Sequence, residues 1–198
     1  MKKAERKQEL LQIAYELFLS KGYESVSVDE IIAKAGIAKG TYYYYFKSKE
    51  ETLEEVIDMM IAGEEAKAKA ILEMPILVPQ KIVGIISSFR PDQPEQGIVT
   101  TLNQKENLLM HERVNVKVIE KAVPLLSRAA MEGIEQGIIN CDYVEERVRI
   151  LLILSNQIFD EGIADMSTLV VYIDIVEKLL GAKKGTMDFI KELIMNQQ

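Results

Sequence analysis

The stretch Ser27-Val28-Asp29-Glu30-Ile31-Ile32-Ala33-Lys34-Ala35-Gly36-Ile37-Ala38-Lys39-Gly40-Thr41-Tyr42-Tyr43-Tyr44-Tyr45-Phe46 decides how this chain is read. Ser27-x-x-Glu30 is a capping box, and Val26 and Ile31 hold the N′ and N4 positions of a hydrophobic staple, so a helix starts at Ser27. Asp29 and Glu30 in its first turn suit the positive end of the helix dipole. Gly36 ends this helix, and after the turn Ala35-Gly36-Ile37 a third short helix follows, from about Ala38 to Tyr45. Upstream, Leu10, Ile13, Ala14, Leu17 and Phe18 recur at helical spacing, and Gly22 stops that helix. Downstream, Ser48-x-x-Glu51 is a second capping box, opening a long helix through Leu53, Val56, Ile57, Met60 and Ile61 towards Leu72. Three short helices with a tight glycine turn between the second and third describe a helix-turn-helix, whose last helix can enter a DNA major groove.

On a helical wheel Tyr42 and Phe46 share one face and pack on the first two helices. Gly40, Thr41 and Tyr44 point the other way, flanked by Tyr43 and Tyr45. With Lys39 they offer hydroxyls, aromatic edges, a cation and a bare backbone position to phosphates and base edges. The four tyrosines read equally well as a packing cluster. Gly40 costs its helix about 1 kcal/mol relative to Ala, a loss that close approach to a base pair would explain. Lys49 opposes the dipole of the fourth helix by roughly 0.3–1 kcal/mol, which a phosphate held there would reverse.

The whole chain has 198 residues, 48% hydrophobic and 28% charged, which excludes a disordered chain and suits one large domain or two small ones. The single cysteine, Cys141, excludes an internal disulfide framework and a multi-cysteine metal site, and fits a reducing cytoplasm. Gln12 and Glu16 interrupt the apolar residues after the basic start, so no signal peptide is expected, and no stretch approaches a membrane span. The expectation is a cytoplasmic protein. Net charge is −7, but residues 1–50 carry +2 and the remaining 148 carry −9. A mildly basic head on an acidic body suggests two parts with different partners.

The body reads as helices throughout: about Pro79 to Phe89, then Leu102 to Ile139 with Pro124 as a kink or restart, a helix capped by Asp142 and reaching Phe159, and one capped by Ser167 and ended by Gly181. Residues 90–97 form the clearest loop, and Met187, Ile190 and Ile194 mark an amphipathic tail. No period-two alternation survives. The expected fold is all-α: an N-terminal three-helix head over residues 1–50 and a helical effector-binding and dimerisation domain over 51–198.

The head resembles the TetR family of transcriptional regulators from about Lys7 to Leu53. Gly22-Tyr23, Ser27 to Ile31, Ala35 to Phe46 and Lys47-Ser48-Lys49-Glu50-Glu51 carry the resemblance. It implies that Ser27 and Lys49 contact phosphates, and that Lys39, Gly40, Thr41, Tyr43 and Tyr44 face the DNA with Tyr45 against the backbone. Val28, beside Ser27, is counted in the same surface. Ile32 stands where the family usually has Ala. Ala38 replaces the usual Ser or Thr cap of the recognition helix, removing about 1 kcal/mol from its start.

For the body, the resemblance implies dimerisation and a small-molecule pocket. The residues support the first independently. Leu151 to Leu154 fill every face of one helix, and Leu169 to Leu180 cover most of another, so both are buried on two sides, within the monomer or across a dimer. Leu151, Leu152, Val171, Ile175 and Leu179 are the interface candidates. Asn103, Asn107 and His111 share a helix face that is either a solvated polar stripe or the polar side of a pocket walled by Phe89, Met110 and Phe159. A ligand there would move the head through the long helix beginning at Ser48. One histidine and one cysteine, with no phosphate loop, nucleophile elbow or metal spacing, speak against an enzyme, and no metal or cofactor is expected. The reading is a DNA-binding transcriptional regulator, a ligand-responsive repressor acting as a homodimer on a palindromic operator. A constitutive or architectural DNA-binding protein without an effector is the alternative.

Overall fold

A computed structural model describes residues 3–89, 95, 98, 101, 108–159 and 165–191. They form α1 (Lys3–Lys21), α2 (Val28–Ala35), α3 (Lys39–Tyr45), α4 (Lys49–Leu72), α5 (Val78–Ser88), α6 (Leu108–Glu135), α7 (Val144–Phe159) and α8 (Met166–Leu180). No strand occurs among the described residues. The all-α fold is as expected.

The helix ends of the head follow local chemistry. Ser27 Oγ accepts the Glu30 N–H at 3.2 Å, and Val26 and Ile31 are both buried. Gly36, at φ 62°, takes the left-handed turn that closes α2, and the Ile37 N–H donates to the Ile32 carbonyl at 3.3 Å. Ala38 leaves α3 without a side-chain cap. Ser48 Oγ accepts the Glu51 N–H at 3.1 Å, while the Glu51 carboxylate takes the Lys47 N–H rather than that of Ser48.

Two expectations in the body need correction. Pro124, expected to kink or restart its helix, lies inside α6, which runs on from Leu108 to Glu135. Pro124 has no N–H for the Glu120 carbonyl, but both residues are exposed, so water can serve that carbonyl, and buried Ala122, Val123, Leu125 and Leu126 hold the helix in place. Asp142 does not cap α7, which starts at Val144 after Tyr143, a left-handed residue at φ 54°. Instead the Arg147 guanidinium donates to the Asp142 carbonyl at 2.6 Å. Asp165, not Ser167, caps α8. Its carboxylate accepts the Thr168 N–H at 2.7 Å and the Ser167 hydroxyl at 2.7 Å, bonds that hold its pKa down to about 2. The expected loop at 90–97 and the helix start near Leu102 fall mostly, and Ile194 wholly, outside the described residues.

The chain packs as two units, residues 1–63 with 91–114, and 64–90 with 115–198, so the division falls inside α4 and inside α6. The first unit buries Leu10, Ala14, Phe18, Ile31, Tyr42, Phe46, Leu53 and Val56. The second gathers Leu72, Ile85, Val123, Leu126, Ala129, Ile139, Leu151, Ile173, Val176 and Leu180 into one core. Gly181 ends α8 at φ 62°, as expected, and a Cβ there would stand 2.0 Å from the Asn140 carbonyl oxygen, so no other residue fits.

Candidate nucleic-acid interface

The third helix is held by two aromatic anchors. Tyr42 and Phe46, four residues apart, are both fully buried, with ring centroids 5.5 Å apart. The Tyr42 hydroxyl lies 2.6 Å from Thr52 Oγ1, itself buried in α4, and donates to the Ser48 carbonyl at 3.4 Å. Burial raises the Tyr42 pKa, so the hydroxyl keeps its proton. α3 is thereby bolted to the start of α4, and the face opposite the bolt is left to solvent.

Gly40 and Tyr44 stand on that face, with Tyr43 exposed on its flank and Lys39 exposed at the first position of α3; Tyr44 is 64% exposed, while Thr41 and Tyr45 are half-buried. Tyr44 and Tyr45 meet edge to face at 5.1 Å, which sets the direction of the outer ring. A Cβ on Gly40 would meet nothing within 4 Å, so packing inside this chain does not require glycine there. Gly40→Ala is therefore expected to stabilise the folded chain by about 1 kcal/mol, raising its melting temperature. If the bare position serves close approach to DNA, the same methyl weakens operator binding by roughly 1–3 kcal/mol. Melting curves and mobility shifts read the two signs separately, and a variant that gains stability with unchanged DNA affinity removes Gly40 from the interface.

The remaining head residues are placed as follows. Ser27 is exposed, and its capping bond uses the oxygen as acceptor, so its proton stays available to a phosphate. Val28 is half-buried at the first position of α2. Lys49 does not simply project to solvent. Its ammonium donates to the Tyr23 carbonyl at 3.1 Å and lies 4.1 Å from the centre of the Tyr23 ring. Burial, with Glu50 beside it, pushes the Tyr23 hydroxyl pKa up. This cation–π seat offsets the unfavourable dipole position of Lys49 without any phosphate. Lys39 pairs with Asp29 at 3.2 Å, across the turn between α2 and α3. Asp29, to which the sequence assigned only a helix-dipole role, is thereby brought beside Lys39. The available signal for Asp29 was its place in the first turn of α2, ten residues before Lys39.

The body candidates are distributed less simply. Phe89 packs against the core of the second unit, whereas Met110 and His111, both half-buried, belong to the first. Asn103, Asn107 and the Phe159 side chain lie outside the described residues. Leu151 is buried in the core of its own unit, and Leu152, Ile175 and Leu179 pack partly against that core. Val171 is 57% exposed, and Val170, Met166, Ile150 and Ile153 are exposed with it on α7 and α8. No described helix is long and apolar enough to cross a membrane, and no group of three potential metal ligands occurs among the described residues.

A glycine turn between α2 and an aromatic-anchored α3, with polar and basic groups outward, defines a helix-turn-helix protein. Residues 10–56 match the family described as "Bacterial regulatory proteins, tetR family". The "HTH-type transcriptional repressor KstR2" of Mycolicibacterium smegmatis is 34% identical over 87 residues, 43% of this chain and 42% of the repressor. The "Fatty acid metabolism regulator protein" of Bacillus subtilis is 26% identical over 133 residues, 65% of this chain and 68% of that protein. The match to KstR2 thus spans less than half of that repressor's length. A solved transcriptional regulator from Cytophaga hutchinsonii shares the fold over 93% of this chain and 96% of its own, at a TM-score of 0.62 and 18% identity. The match to the TetR family of bacterial regulatory proteins thus covers the head of this chain, residues 10–56.

Proposed function

We propose that this chain is a transcriptional repressor that works in the cytoplasm, binds an inverted-repeat operator as a homodimer, and releases it when a small, largely apolar effector occupies the body. The observation that carries the DNA reading is α3. Its anchors Tyr42 and Phe46 are fully buried, while Lys39, Gly40, Tyr43 and Tyr44 are exposed. The naming of KstR2 as a repressor supports the direction of regulation. Exposed Ile150, Ile153, Val170 and Val171 support a second copy as partner, because apolar rows on neighbouring helices are usual at dimer interfaces. The effector reading rests on the partly buried Phe89 beside an apolar core, and on α4 and α6, each of which continues from one unit into the other.

The test is selection from a random duplex pool, followed by mobility shifts across a salt series. An inverted repeat with half-sites about 34–36 Å apart, or a multiple of that, is expected. Affinity should fall linearly with salt on a log–log scale as Lys and Arg displace counterions from phosphates. A folded protein that enriches no motif overturns the proposal.

A further inference from the structure

An exposed carboxylate on a surface that approaches phosphates is repelled by them, so Asp29 needs a reason to stand where it does. Its neighbour Glu30 is turned away to Lys21, but Asp29 faces Lys39, the first residue of α3. The Asp29 Oδ1 and Lys39 Nζ atoms are 3.2 Å apart, and the side chains remain 77% and 63% exposed. A pair so open to water contributes almost nothing to folding, so it is free to exchange partners. Its two groups form an acceptor beside a donor. A G·C pair offers the complement in the major groove, the cytosine N4 amino donor beside the guanine O6 acceptor. A·T also sets an amino donor beside an acceptor, but only guanine adds a second acceptor, N7, next to O6 for the ammonium. Cytosine N4 and guanine O6 are themselves hydrogen-bonded at about 2.9 Å, which matches the spacing of the protein pair.

We propose that Asp29 is a specificity-determining residue: with Lys39 it reads one G·C pair in each half-site, Asp29 accepting from cytosine N4 and Lys39 donating to guanine O6 or N7. The inference rests on the regulator reading above and adds to it the identity of one base pair. On duplexes lacking that pair, the ammonium loses the paired O6 and N7 acceptors of guanine while the carboxylate still repels the backbone, so Asp29 also weakens non-specific binding.

The experiment selects sites from a random duplex pool with the wild-type chain, Asp29→Ala and Lys39→Ala, and measures affinity for a random-sequence duplex. Circular dichroism checks that each variant is folded. The wild-type half-site should contain a G·C pair whose discrimination falls about tenfold or more in Asp29→Ala. Lys39→Ala should lose preference at the same pair. Binding of the Asp29 variant to random duplex should rise, and Asp29→Asn, which removes the charge, should share that rise. An Asp29→Ala site identical to the wild-type site, or losses at different base pairs in the two variants, overturns the inference while leaving the regulator reading standing. A wild-type chain that enriches nothing overturns both.

Discussion

Arginine in place of Val171 is expected to leave a folded monomer that has lost most of its operator affinity. Val171 is exposed on α8, beside Val170 and Met166, so the monomer loses little by the change. In a two-fold interface the same residue occurs twice in one self-complementary patch, and two guanidinium groups would be buried together without partners. A dimer gains from linking its heads, because the second half-site binds at high effective concentration. Its loss lowers operator affinity by about 10²–10⁴-fold. Light scattering and mobility shifts measure the two halves of this expectation, and a Val171→Arg protein that stays dimeric removes this face from the interface. Leu151→Arg should behave differently. Leu151 lies in the core of its own unit, where the Tyr172 hydroxyl donates to its carbonyl at 3.1 Å, so an arginine there unfolds the body instead of only separating the copies.

The second large effect falls on the anchor of α3. Tyr42→Ala empties a fully buried aromatic site and should cost about 3–5 kcal/mol. That is a large part of the roughly 5–15 kcal/mol by which a domain is stable. Tyr42→Phe removes only the hydroxyl. Thr52 Oγ1 still donates to the Ser48 carbonyl at 3.1 Å, so no buried donor is stranded and the cost stays near 1 kcal/mol. The chain has no tryptophan, and six of its eight tyrosines precede residue 50, so tyrosine fluorescence during urea denaturation reports on this head. Equal losses for the two variants would mean that the hydroxyl bond to Thr52, and not ring packing, holds α3 in place.

Much of the head was legible before any coordinates. Ser27, Gly36 and Ser48 act on backbone groups within four residues of themselves, so their roles are written in the local sequence. The burial of Tyr42 and Phe46 follows in the same way from a four-residue period on a short helix. Where two neighbours compete, local reading fails by a residue or two. Asp165 took the cap expected of Ser167 because its carboxylate accepts both the backbone N–H and the serine hydroxyl.

Partner choice is another matter. Leu151 to Leu154 announce two-sided burial, yet only packing turns Leu151 inward and leaves Ile150 and Ile153 in water. Lys49 was expected to hold a phosphate, but its ammonium rests on Tyr23, 26 residues earlier, and Lys39 pairs with Asp29 across a turn. Caps and periodicities are decided within one turn of the chain, so the residue order contains them. The partner of a long, charged side chain is whatever the fold brings within about 4 Å of its end, and that distance exists only once distant segments have packed.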